Sequence, residues 1–262
     1  MNEKNLEALK KDLKFLGFGE GLQDQLTNNI QQQKPEFTLT HQAFYNDKTL
    51  DSTLHFRAGK ENEMYFFNKY EAKLGDKQQT FYLDRGNGIT TKEAFNLLEG
   101  RAVNKDLVNK EQVKYNAWIK LDFGNKELNG NYKIQPYHEN YGYDAMAALE
   151  RYPIKELKDA KSRDELVKSL EKGNLQSVTV LEKAGEKRYL IQADPQFKDI
   201  TLFAKDGNKL DREQAMALRK DAPKQEKKES AAITNHKKQS QPNADTVELK
   251  KKRQTNKKGM GL

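Results

Sequence analysis

Thr90-Thr91-Lys92-Glu93-Ala94-Phe95-Asn96-Leu97-Leu98-Glu99-Gly100 spells out a helix together with both of its ends. The Thr90 hydroxyl can accept from the amide three residues on while Glu93 reaches back to the amide of Thr90, the reciprocal bonding of a capping box. Ala94, Phe95, Leu97 and Leu98 form an apolar face, and Gly100 offers the left-handed residue that closes a helix. Strand-like runs lie on both sides. Upstream, residues 37–44, 50–57, 64–74 and 80–83 are rich in aromatic and β-branched side chains. Downstream, residues 115–123 lead through Asn129-Gly130 to a partner run at 132–137 that Pro136 is expected to break. A helix set between antiparallel runs predicts an α+β fold.

The pattern extends outward from there. Leu6, Leu9, Leu13 and Leu16 mark a first amphipathic helix ending at Gly17, and Leu22, Leu26 and Ile30 mark a second. Beyond the central hairpin, Asp144 caps a short helix, and Ser162 with Glu165 is the expected cap of another that carries Leu166, Val167 and Leu170 and stops at Gly173. The segment between Gly100 and residue 115 reads as a loop or weak strand. Strands are expected at 177–182, 187–193 and 199–204, followed by a last helix capped by Asp211 and Gln214. A helix followed by about three strands thus recurs from near Leu22, Lys92 and Arg163; duplication of an αβββ unit is one explanation and ordinary α+β alternation the other. The expected organisation is a helical segment at 1–33, an antiparallel β-rich module with a closing helix at 34–100, a second α+β module at 101–220, and a disordered lysine-rich tail at 221–262.

Charge and core are separated along this chain. Of 47 Lys and Arg and 39 Asp and Glu, residues 221–262 hold eleven and five, leaving 36 against 34 for residues 1–220. The tail contains no Phe, Tyr or Trp, so all the aromatic area available for burial lies in the body. Cysteine is absent, which excludes disulfides, thiolate metal sites and a cysteine nucleophile. The longest apolar run, residues 145–149, is far short of the roughly 20 residues of a membrane span. A cytoplasmic protein without membrane contact is expected.

Few local patterns suggest chemistry. Gly17-Phe18-Gly19-Glu20-Gly21 follows a helix, lacks a Lys-Ser/Thr and places a carboxylate where phosphate would sit, so it reads as a linker. His41 and His55 lie on neighbouring strands, where they could face each other, but without further ligands they make a thin metal site and no metal is assigned. The densest polar-aromatic cluster is Tyr137-His138-Glu139-Asn140-Tyr141-Gly142-Tyr143-Asp144, at a strand-to-helix junction. Tyr137, His138, Tyr141 and Tyr143 are the candidate ligand or partner loop, with the tyrosines as stacking faces for unpaired bases; the plain alternative is that they pack and Asp144 caps a helix. His138 with Glu139 could serve as an acid–base pair of a metal-dependent phosphodiester enzyme, the least favoured reading. In the tail, Lys250, Lys251, Lys252, Arg253, Lys257 and Lys258 are the candidate nucleic-acid contacts, since a lysine-rich arm attracts phosphates without needing a fold. No catalytic residue and no cofactor is assigned.

Gly100-Arg101-Ala102-Val103-Asn104-Lys105-Asp106-Leu107, with Tyr115-Asn116-Ala117-Trp118-Ile119-Lys120-Leu121-Asp122-Phe123, His138 to Asp144, Pro153-Ile154-Lys155-Glu156-Leu157 and Asp194-Pro195-Gln196-Phe197-Lys198, resembles an uncharacterised family of Bacteroides-group bacteria often carried on conjugative or integrative elements, near topoisomerase and mobilisation genes. The likeness spans most of residues 1–210 and brings no catalytic residue with it. It implies DNA-related work. The combined expectation is a non-enzymatic accessory protein of a mobile element that binds nucleic acid non-specifically through its tail, or a protein-interaction module that recruits an element-encoded partner and has an inert tail. The sequence leaves oligomeric state open.

Overall fold

Three antiparallel sheets and six α-helices make up the α+β architecture of the computed structural model, which describes residues 2–60, 63–83 and 88–222. Helices α1 (Glu3–Phe15) and α2 (Gln23–Gln31) bury Leu6, Leu9, Leu13, Leu26 and Ile30, the residues their three- and four-residue spacing selects. Strands β1 (Glu36–Tyr45), β2 (Lys48–Ala58), β3 (Tyr65–Leu74) and β4 (Lys77–Tyr82) form the first sheet in that spatial order. Phe37, Leu39, Leu50, Leu54, Phe56, Phe67, Tyr70 and Phe81 line its buried face. Phe56 stacks between Phe37 and Phe67 with ring centroids 4.9 and 4.8 Å away.

Helix α3 (Thr91–Leu98) closes the same core, and the Thr90–Glu93 capping box is present with both bonds. Strands β5 (Val103–Val108), β6 (Lys114–Lys126) and β7 (Tyr132–His138) form the second sheet. Residues 117–119 of β6 are buried in succession: Ile119 belongs to the first core and Trp118 to a small cluster with Ala102, Tyr137, Ala145 and Ala193. Helices α4 (Ala145–Glu150) and α5 (Ala160–Glu171), strands β8 (Gln176–Glu182), β9 (Gly185–Asp194) and β10 (Asp199–Phe203), and α6 (Arg212–Ala217) complete the body around a further core built on Leu149, Tyr152, Leu170, Val180 and Ile191. Both α3-β5-β6-β7 and α5-β8-β9-β10 place a helix before a sequential three-stranded meander.

Three expectations are corrected and one open alternative is resolved. Helix α5 starts earlier than the Ser162–Glu165 pair suggests, because the Asp159 carboxylate accepts from the amide of Ser162 and is the N-cap. Pro136 does not break β7, because β7 is an edge strand, where a missing N–H need cost no ladder bond. Strand β4 begins at Lys77. Of the loop and the weak strand expected after Gly100, the chain forms the strand, β5, whose polar Asn104, Lys105 and Asp106 are satisfied by Asn116 and Glu93.

Two junctions tie elements of the body together, the first between two sheets and the second between two helix ends. Asn131, just before β7, behaves as a one-residue strand against the outer edge of β4: its side chain accepts from the Thr80 N–H at 2.9 Å and donates to the Thr80 carbonyl at 3.4 Å. The buried Gln79 side chain bonds both backbone groups of Tyr132. The second junction joins the ends of α3 and α5. Asn96 Nδ2 donates to the Lys172 carbonyl at 2.5 Å and Arg101 Nε to that of Gly173 at 2.9 Å, so α3 and the residue just past its closing Gly100 supply donors to orphan carbonyls at the end of α5.

Candidate functional site

Register places Tyr137 of β7 opposite Trp118 of β6, and alternation turns Tyr137 inward and His138 outward. Tyr137 is only 5% exposed, and its hydroxyl has no hydrogen-bond partner. The His138 ring sits 5.2 Å from that of Tyr115 and makes no hydrogen bond to Glu139. Glu139–Tyr141 forms a single 3-10 turn, and Gly142 at φ +76° redirects the chain so that Tyr143 meets the edge of Trp118 at 5.2 Å. Asp144 then accepts from the amide of Ala147 and starts α4. Tyr141 remains 38% exposed; its hydroxyl donates to the Gln196 carbonyl at 2.8 Å and Lys198 Nζ lies 4.9 Å from its ring centroid. Of the four candidates, Tyr137 and Tyr143 are thus taken into packing, while His138 and Tyr141 stay at the surface.

Behind the loop lies a polar seam that sequence reading did not single out. Asp194 and Asp199 are direct cross-strand partners on β9 and β10, an arrangement of like charges that needs compensation. Asp199 receives it from Arg219 and from the Tyr152 hydroxyl, with Arg151 Nη1 at 3.8 Å from its other oxygen. Asp194 has the Thr201 hydroxyl at 2.8 Å on one oxygen and no partner on the other. Tyr143 faces this pair. Burial foremost, and the charges of Asp194, Asp199 and Asp144 after it, push its phenol well above the usual tyrosine value; its hydroxyl lies near the Asp194 amide without a bond of ordinary geometry. A cavity of about 590 Å³ opens beside the seam, with Asp194, Asp199 and Arg219 among its polar lining and Leu202, Leu210 and Met216 among its apolar walls. These groups come from β9, β10 and the chain in and around α6, so only the folded chain brings them together. The motif Asp194-Pro195-Gln196-Phe197-Lys198 was the one visible signal nearby.

His41 and His55 are separated by register. His41 pairs with Ser52 and turns to the helix-covered face, where it meets Phe18 at 5.3 Å; His55 pairs with Thr38 and turns to the open face. His55 Nε2 lies 3.1 Å from Glu71 Oε1, close enough for an ion pair when protonated but not aligned as a hydrogen bond. Among the described residues no three His, Asp or Glu side chains are grouped as metal ligands. Gly17 is the left-handed residue ending α1, with the Phe18 amide donating to the Leu13 carbonyl at 2.9 Å, and Glu20 pairs with Lys14. No described helix is long and apolar enough to cross a membrane. Lys250, Lys251, Lys252, Arg253, Lys257 and Lys258 lie outside the described residues. Comparison with protein-family models, curated proteins and solved structures finds no match to this chain.

Proposed function

We propose that this chain is a non-enzymatic nucleic-acid-binding accessory protein whose residues 250–258 supply sequence-independent phosphate contacts while the body serves as a protein-docking module. The observation that carries this reading is the partition of charge: six cations between Lys250 and Lys258, against a body with 36 basic and 34 acidic residues. A body that close to neutrality gives phosphate little reason to bind it, so affinity falls to the arm. The resemblance to proteins of conjugative and integrative elements supports DNA as the polyanion and a mobile element as the setting.

Anisotropy titration of duplex DNA against salt tests this. If the arm engages six phosphates, log K falls against log salt with a slope of about −5. Replacing all six cations with Gln should remove most of the affinity and flatten the slope; equal binding by that variant would overturn the role of the arm. A second reading, an interaction module with an inert tail, is favoured by one observation: strand β1 is the outer strand of the first sheet and pairs with β2 alone among the described strands.

A further inference from the structure

We infer that strand β1 is a self-association edge, which pairs with β1 of a second copy to join two four-stranded sheets into one of eight. This stands apart from the nucleic-acid reading. The argument begins with which backbone groups of β1 are free. The Ala58 amide donates to the Pro35 carbonyl at 2.8 Å, extending the register that runs unbroken from Glu36↔Arg57 to Tyr45↔Lys48. Bonded and non-bonded pairs alternate along an antiparallel ladder. Phe37, Leu39, His41, Ala43 and Tyr45 therefore bond to β2, and the N–H and C=O groups of Glu36, Thr38, Thr40, Gln42 and Phe44 point away from the sheet. The same parity rule applied to β4 makes Thr80 an outward residue, and Asn131 satisfies it there.

The other described edges are blocked. Asn131 covers β4. The Glu156 carboxylate holds the Thr179 amide of β8 at 2.9 Å, and the Pro153 carbonyl accepts from Leu181. The Leu210 amide bonds the Leu202 carbonyl of β10. Pro136 interrupts the donors of β7, and β5 is six residues long, carries Lys105 and Asp106, and contacts α5. Strand β1 has ten residues and none of these devices: no proline, no lysine, no bulge against β2, and Glu36 as its only carboxylate or cation at neutral pH. Phe44 on it is 73% exposed.

A second copy is the occupant that this strand fits. Side chains opposite one another must share a face, which allows antiparallel self-pairing only about a residue, not between two. Centred on Thr40, the pairing sets Thr38 against Gln42 and Glu36 against Phe44 of the other copy, so every outward residue is bonded and no like charges meet. Centred on His41, it leaves Glu36 unpaired and puts two imidazoles opposite each other. The near-neutral bodies add little repulsion.

The test uses the full chain, freed of nucleic acid by nuclease and high salt. Light scattering should report a dimer at high micromolar concentration. Thr40→Pro deletes an outward N–H that β2 does not use, so it should give a monomer with an unchanged far-ultraviolet spectrum. A Thr40→Cys chain, otherwise free of cysteine, should oxidise to a disulfide-linked dimer, because facing Cα atoms in a bonded antiparallel pair lie about 5.5 Å apart. Gln78→Cys on the opposite edge should not. A monomeric full chain, a Thr40→Pro chain that remains dimeric, or Thr40→Cys crosslinking no faster than Gln78→Cys would each overturn the inference. Should Thr40→Pro unfold, the cysteine pair decides.

Discussion

Replacing Gly173 with alanine tests the meeting of α3 and α5 most severely. Gly173 has φ +77°, and a Cβ built there would lie 2.8 Å from the Ala102 carbonyl oxygen, 2.9 Å from Val103 Cγ2 and 3.0 Å from Asn96 Cβ. The left-handed conformation alone costs alanine about 1–2 kcal/mol. Forcing a methyl group against fixed backbone adds about 1–3 kcal/mol of overpacking. The sum of about 2–5 kcal/mol corresponds to a Tm loss of about 4–20 °C for a body of this size. Gly130 is the control: φ is +85° but a Cβ would meet nothing within 4 Å, so Gly130→Ala carries the conformational cost only, a loss of about 2–8 °C. The reverse exchange is available at α2, where Gln33 at φ 53° donates to the Ile30 carbonyl and the Lys34 amide to that of Asn29, the bonding that glycine completes elsewhere. Gln33→Gly should raise stability by up to about 1 kcal/mol, after the larger chain entropy of unfolded glycine is subtracted. Calorimetry on the full chain measures all three. Equal losses for Gly173→Ala and Gly130→Ala would refute the close approach of the two helix ends.

Two further outcomes follow from buried polar groups. The Tyr70 hydroxyl donates to the Ile89 carbonyl at 2.7 Å, whereas that of Tyr137 has no partner, so in urea titrations Tyr70→Phe should cost about 1 kcal/mol or more and Tyr137→Phe nothing or a slight gain. Burial holds the His41 imidazole below its ordinary value, so the unfolded chain takes up the proton first as pH falls. The stability contributed by neutral His41 is thus complete above about pH 6.5 and lost below it, down to the folded value. His41→Gln should reduce the slope of Tm against pH in that window, and an unchanged slope would place the titration elsewhere.

Local chemistry was readable where it is self-contained. The Thr90–Glu93 and Asp211–Gln214 boxes, and the glycines ending α1, α3 and α5, each depend on residues within one turn. What escaped depends on partners distant in sequence. Polar β5 reads as a loop or a weak strand until Asn116 and Glu93 are seen beside it, and Pro136 reads as a break until β7 is known to lie at an edge. The tyrosine loop was visible as a cluster and its packing as the plain alternative, but its sequence cannot say that Trp118 opposite takes Tyr137 and Tyr143 inward while Tyr141 stays out. Asp194, Asp199 and Arg219 belong to separate segments and carry no shared motif.

The Asn131 side chain against β4 matters for what the molecule does not do. A sheet with two open edges accepts one copy on each side, and such head-to-tail addition has no natural end: it builds filaments. With the middle of short β4 occupied by a single amide, the first sheet has one open side and one obstructed side. Pairing through β1 about a two-fold axis then uses up the open side of both partners at once. Assembly stops at two, and Asn131 acts as a chain terminator written into the fold.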